Sequence, residues 1–212
     1  PRFPFALPRV DNANYLWIQI FYSSLNETGR AGFVMANGSL STSTKAELAI
    51  RKGIIEDDLV DCIVALPGQL FYTTQIPVCL WFVTRNKKAD PKHGYQDRRG
   101  ETLFIDARRM GRLVDRVHRE LTQEEIRQIA AIYHAWKRGN GYADKPGWWK
   151  SATLEAIRQH GYVLTPGRYV GAEEQEDDGV PFEEKMAELT AKLSEQFDEA
   201  RRLEAIREAG VG

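Results

Sequence analysis

The chain has 212 residues, of which 42% are hydrophobic and 28% charged, with a formal net charge of −1. That length suits one domain with at most an appendage, and that balance excludes fibrous, disordered and strongly polycationic classes. Two cysteines exclude a disulfide scaffold, four scattered histidines (His93, His118, His134, His160) leave no metal-ligand spacing, and no apolar run reaches the ~20 residues of a membrane span.

Pro1–Asp11 holds three prolines and no period, so it reads as a loop; a start at Pro1 rather than Met reads as a processed or cut chain. Asn12 or Asn14 is placed to cap a helix running to about Asn26, with Trp17, Ile20, Phe21, Ser24 and Leu25 on one face and Ile18 and Tyr22 widening it. Ala31–Ala36 reads as a short buried strand ended by Asn37-Gly38. Thr44-Lys-Ala-Glu47 has the form of a capping box that opens a helix to about Ile55.

Leu59–Arg85 is the centre of the chain. Leu59–Leu66 and Ile76–Thr84 are near-continuous apolar runs, as expected of strands covered on both faces. About nine residues separate them, too few for the helical crossover of a parallel pair, so an antiparallel pair is expected. Cys62 and Cys79 lie inside these runs and read as small core residues in a reducing compartment. The connecting loop carries Phe71 and Tyr72 beside Gly68. Two roles are open for them: contact with a ligand, or capping of the core.

Asn86–Gly100 reads as a loop, Thr102–Asp106 as a short strand and Arg108–Arg119 as helical or turn-rich. Thr122-Gln-Glu-Glu125 is a second capping box, and its helix stops at Gly139-Asn140-Gly141. Trp148 and Trp149 fall in a turn, Ser151 caps a short helix ending at Gly161, and Tyr162–Gly171 reads as extended, with Pro166-Gly167-Arg168 a structural turn. Glu173–Gly179 reads as an acidic hinge. From Phe182 to about Glu208, Phe182, Met186, Leu189, Leu193, Phe197, Ala200, Leu203 and Ile206 recur by threes and fours. That is a heptad-like stripe on a helix of about 40 Å, suited to pairing with a partner helix or to docking back on its own domain.

Charge is uneven. Residues 85–120 hold 11 Lys/Arg against 6 Asp/Glu, and residues 173–208 hold 5 against 13. The first suits an anionic ligand, the second a solvated helix, and an ordinary charged surface would give either. The expected fold is α/β, with residues 1–106 the trailing part of a doubly wound sheet, 107–171 a helical region and 172–212 the hinge and long helix. With no signal peptide, a cytoplasmic location and no membrane partner are expected.

In family order, the blocks DNANYLWIQ (11–19), GRAGFVMANGSL (29–40), LVDCIVALPGQLFYTTQIPVCLWF (59–82), LFIDARRMG (103–111), ELTQEEIRQIAAIYHAW (120–136) and YVLTPGRYVGAEEQEDDGVPFEEKM (162–186) resemble the methylation (M) subunit of type I restriction-modification systems, an N6-adenine DNA methyltransferase. The resemblance implies the C-terminal portion of a Rossmann-like methyltransferase. The family's glycine-rich S-adenosylmethionine loop and its N-P-P-F tetrapeptide do not occur in this sequence; Arg2-Phe3-Pro4-Phe5 has one proline and no leading Asn. The intact enzyme would use S-adenosylmethionine, with none bound and no catalysis by this chain alone. By position in the family, Phe71, with Tyr72 beside it, would stack the target adenine. Arg98, Arg99, Arg108 and Arg109 would then lie near duplex phosphates, and the stripe Phe182, Met186, Leu189, Leu193, Phe197 would pair with the specificity (S) subunit. DNA, the N-terminal half of the M subunit and the restriction (R) subunit complete the implied partners. The alternatives are a non-enzymatic module that binds the S subunit or DNA, and an unrelated α/β protein with a coiled-coil tail.

Overall fold

The structure is a computed structural model that describes residues 3–8, 10, 12–171 and 182–209. The chain divides into two units, residues 1–173 and 174–212. The first is built on a five-stranded sheet in the order β1-β3-β2-β4-β7. Its strands are β1 (Arg30–Ala36), β2 (Val60–Ala65), β3 (Val78–Thr84), β4 (Glu101–Asp106) and β7 (Trp149–Thr153). β2 and β4 are parallel, and β3 runs antiparallel between β1 and β2, with Ile63 opposite Trp81 and Val64 opposite Leu80. The antiparallel pairing of the two central runs is as expected.

Side chains alternate across these strands, and both faces are covered. Ile63, Cys79, Trp81 and Val83 point into a core shared with Tyr15 and Ile18 of α1 (Asn14–Ser23), Ile50 and Ile54 of α3 (Lys45–Glu56) and Ile157 of α5 (Leu154–Gln159). Cys62, Val64, Leu103 and Ile105 point the other way, onto Trp136 of α4 (Gln123–Arg138). The Val/Ile/Leu-rich run of β2 is therefore buried at every position. Both cysteines are free and buried, and burial pushes the Cys79 thiol up to about 11. α4 begins at a complete capping box: Thr122 Oγ1 accepts from the Glu125 amide (3.2 Å), and Glu125 Oε2 accepts from the Thr122 amide (2.7 Å). It ends at Gly139 with φ +63°, the left-handed conformation glycine adopts at low cost.

Several expectations are corrected. α1 buries Tyr15, Ile18 and Gln19, and Trp17 is exposed. The polar Gln19 goes inside because its amide bonds the backbone of Phe5 (3.1 Å) and Ala6 (2.7 Å). β1 is an edge strand with only Met35 buried. A short helix, α2 (Gly38–Ser41), follows it and presents Ser39 to the Trp81 indole (3.1 Å). Thr44 sits at the N-cap of α3 without a side-chain cap, because Glu47 accepts instead from Thr42 Oγ1 (2.7 Å). Of the two forms expected of Arg108–Arg119, helical or turn-rich, the chain takes the second: β5 (Arg112–Leu113) pairs with β6 (Arg119–Glu120) in a small hairpin. Residues 107–171 return to the main sheet, because Trp149 begins β7, which pairs antiparallel with β4. Thr153, not Ser151, caps α5 (3.2 Å to the Ala156 amide). Pro166–Arg168 forms a single 3₁₀ turn, and Tyr169 beyond it stacks on Phe104 at 3.8 Å.

The second unit is α6, Phe182–Ala209, 28 residues long. Met186, Leu193 and Phe197 are exposed along it. The side chains of Phe182 and Leu189 lie outside those described, as does the segment 172–181 that contains the expected hinge, Glu173–Gly179. Among the described residues no helix is long and apolar enough to cross a membrane, and no group of three metal-ligating side chains occurs.

Candidate nucleic-acid interface

β2 and β4 run the same way, so the loops after them share one end of the sheet. After β2 the chain turns sharply. A Cβ on Gly68 would lie 2.5 Å from the Gln75 carbonyl, and Gln69 adopts φ +65°. The Leu66 amide bonds the Val78 carbonyl (2.9 Å) and the Gln69 amide the Gln75 carbonyl (3.2 Å). Phe71 bridges to Thr74 at the tip of the loop. This tight closure leaves the aromatics outside: Phe71 is 41% exposed and Tyr72 87%. Neither caps the core.

The β5–β6 hairpin stands beside this loop. The Arg119 amide donates to the Gln69 carbonyl (2.8 Å), and the His118 ring stacks on Tyr72 at 4.1 Å with planes 15° apart. His118 itself is buried. Asp115 Oδ1 accepts from the amides of Val117 (2.8 Å) and His118 (2.7 Å), and these bonds hold its carboxyl below the usual range. At the root, Glu125 accepts from the Gly111 amide (2.6 Å) as well as from Thr122, so the cap of α4 also anchors the hairpin. Arg119 Nη1 closes the turn onto the Gly111 carbonyl (2.6 Å). The exposed tip carries Leu113, Val114 and Val117 with Arg112 and Arg116.

The four arginines expected near phosphates separate. Arg108 and Arg109 follow β4 at the end that bears the aromatic loop. Arg108 is paired with Asp106 (2.6 Å) and half exposed, while Arg109 lies over the Trp148 ring (4.4 Å) and donates to the Gly147 carbonyl (2.8 Å). Arg98 and Arg99 precede β4 at the opposite end, about 20 Å away at roughly 3.3 Å per strand residue. Arg98 is a correction: it is 2% exposed and held by Asp61 (3.3 Å), whose second oxygen accepts from the Tyr133 hydroxyl (2.5 Å). That network engages the Arg98 guanidinium at the end of the sheet away from the aromatic loop. Arg99 is exposed and engaged by Asp97 (3.0 Å). The basic segment is thus continuous in sequence but divided in space by β4. His118 was not singled out by the sequence, because a lone histidine in a charged stretch carries no spacing signal; only the pairing of hairpin and loop brings it to Tyr72.

The aromatic loop, the apolar hairpin tip and the flanking arginines form one surface outside the carboxyl ends of parallel strands, where open α/β sheets bind ligands. Exposed rings offer stacking faces, and the arginines suit anionic oxygens.

Residues 1–178 match the family described as N-6 DNA Methylase. The chain is 50% identical over 212 residues to the type I restriction enzyme HindI methylase subunit of Haemophilus influenzae, covering all of this chain and 46% of that protein. It is 43% identical over 199 residues to the type I restriction enzyme MjaIX methylase subunit of Methanocaldococcus jannaschii, covering 93% of this chain and 34% of that one. The chain therefore spans less than half the length of these relatives. Among solved structures, the type I restriction-modification methyltransferase subunit from Streptococcus thermophilus superposes with a TM-score of 0.69 at 26% identity, over 81% of this chain and 33% of that one.

Proposed function

The chain belongs to the N-6 DNA methylase family, and we propose that it is the C-terminal portion of the methylation subunit of a type I restriction-modification enzyme, an enzyme that moves a methyl group from S-adenosylmethionine to adenine N6 in DNA. The observation that carries this reading is the exposed Phe71–Tyr72 loop beside a basic hairpin at the carboxyl end of β2. An adenine amino group inside a duplex is out of reach, so such chemistry requires the base to be flipped out and held flat. Phe71 and Tyr72 supply ring faces for that purpose, and stacking on an aromatic is worth about 1–3 kcal/mol per base. Arg108 and Arg109, with Arg112 and Arg116 of the hairpin, would take backbone phosphates, which adds affinity without reading sequence.

S-adenosylmethionine supplies the methyl group when bound, but the described residues do not fit it. β1 leads through Asn37 into a four-residue helix, β2 into the aromatic loop and β4 into the Arg108 turn, and none is a glycine-rich turn that opens a long helix. We therefore place the cofactor contacts and the amide-bearing tetrapeptide in the remaining part of the subunit. The free edge of β1, with Val34 exposed, would continue a doubly wound sheet contributed by that part. α6, with Met186, Leu193 and Phe197 exposed, would pair with helices of the S subunit, and the R subunit would complete the complex in the cytoplasm. A second reading, a binding module without catalysis, rests on the same exposed stripe of α6.

Methyl transfer to duplex DNA is the test. The 212-residue chain alone should transfer no label from S-adenosylmethionine, and the chain joined to the N-terminal part of such a subunit and supplied with an S subunit should label adenine N6. Labelling by the chain alone, or none by the completed subunit, would overturn this function.

A further inference from the structure

At the end of the sheet away from the aromatic loop lies a polar cavity of 590 Å³ between the start of β1 and the loop after β3. Arg30, Lys88, Lys92, His93 and Tyr95 line it, and its one carboxylate, Asp90, is already held by His93 Nδ1 at 2.6 Å. Beneath Tyr95 sits Lys137. Its residue is 1% exposed, its Nζ is 4.0 Å from the Tyr95 ring centroid and 5.1 Å from that of Tyr133, and it has no hydrogen-bond acceptor among the described residues. The nearby Asp61 is occupied by Arg98 and Tyr133. The Arg30 guanidinium also lies against Tyr95, 5.4 Å from the ring centroid.

An unpaired ammonium in a buried position is costly, and placing it beside two guanidinium groups raises that cost. The imbalance points to a missing negative charge. Arg30 and, after it, Lys137 hold the Tyr95 phenol below its usual pKa, so the positive field converges on the phenol oxygen. Burial, then Arg30, pushes the Lys137 ammonium down, as expected where no anion compensates it. The cavity is also of small-ligand size, and the half-exposed His93 ring, stacked on Tyr95 at 5.7 Å, is part of its lining.

We propose that this cavity binds a phosphate group carried by a nucleotide, with Arg30, Lys88 and Lys92 facing the phosphate, Lys137 compensating its charge from below and the His93 ring beside the base. The site is separate from the aromatic loop by the length of the sheet, and it does not depend on the methyltransferase reading.

The experiment is thermal unfolding and calorimetric titration of the full chain with inorganic phosphate, AMP, ATP and a short DNA duplex. ATP should raise the melting temperature, and Arg30→Ala should weaken its binding by roughly 10- to 100-fold, the worth of a charge-assisted hydrogen bond. Lys137→Met should do the same while raising the melting temperature of the ligand-free chain, because an apolar side chain replaces an unpaired buried charge. Stabilisation by the duplex alone, lost in Arg30→Ala, would assign the phosphate to a nucleic-acid backbone instead of a nucleotide. No stabilisation by any of these probes, or stabilisation that neither substitution changes, would overturn the site. Arg30 is exposed at a strand start, so its variant keeps the test valid should Lys137→Met not fold.

Discussion

The His118 ring lies 4.1 Å from the Tyr72 ring with the two planes 15° apart, so a buried histidine of the hairpin backs the exposed tyrosine of the aromatic loop. One face of Tyr72 is thereby occupied and the other is open to solvent. Such a stack is worth about 0.5–1.5 kcal/mol beyond burial, and the exposure of Tyr72 sets this one towards the low end. A double-mutant cycle of Tyr72→Ala and His118→Ala should give a coupling of about 0.5 kcal/mol in unfolding free energy, with both single variants weakening duplex binding by the completed subunit. Additive effects on stability would mean that the two rings do not support one another.

Arg98 is an interior residue whose guanidinium satisfies Asp61. Removing one member of a buried pair strands the other, at a cost of roughly 3–5 kcal/mol. Arg98→Ala should therefore lower the denaturation midpoint strongly. In whatever fraction remains folded, it should leave the salt dependence of DNA binding unchanged. A variant of native stability with a shallower salt slope would put Arg98 on a phosphate after all.

Glu56 joins α3 to α5 and to the chain beyond it. Arg158 Nη2 lies 2.7 Å from one carboxylate oxygen and the Tyr162 hydroxyl 2.7 Å from the other. Arg158 first and Tyr162 second hold the Glu56 pKa down to about 2. A carboxyl depressed in the folded state adds stability at pH values above its unfolded pKa, and that stability is lost as pH falls towards 2. Thermal unfolding of Glu56→Gln should therefore show a flatter loss of stability between about pH 4.5 and 2 than the parent chain does. Identical acid limbs would show that the carboxylate contributes nothing.

The sheet was legible where burial alone decides structure. β2 and β3 are apolar runs too close for a crossover, and their pairing follows. The cap of α4 was legible because Thr122 and Glu125 satisfy each other without tertiary help. Thr44 and Glu47 have the same spacing, yet Thr42 competes for the carboxylate, and no local pattern reveals that. β7 was hidden because Trp149–Thr153 is half polar: Ser151 is accounted for by the Trp136 indole (3.0 Å), a partner on another element. The aromatic tip at Phe71 and Tyr72 could be located along the chain, but its neighbours could not. The hairpin that supplies His118 reads as a charged stretch, helical or turn-rich, with nothing to show what it packs against, and the division of the arginines between two ends of the sheet depends on the direction of β4.

The most direct test concerns Phe71 in the completed subunit with its S subunit. Phe71→Ala should reduce methylation of target adenine by roughly 5- to 150-fold, the equivalent of about 1–3 kcal/mol of lost stacking, with S-adenosylmethionine affinity unchanged and Phe71→Trp largely retaining activity. Methylation by Phe71→Ala at the parental rate would contradict a base-holding role for the loop after β2.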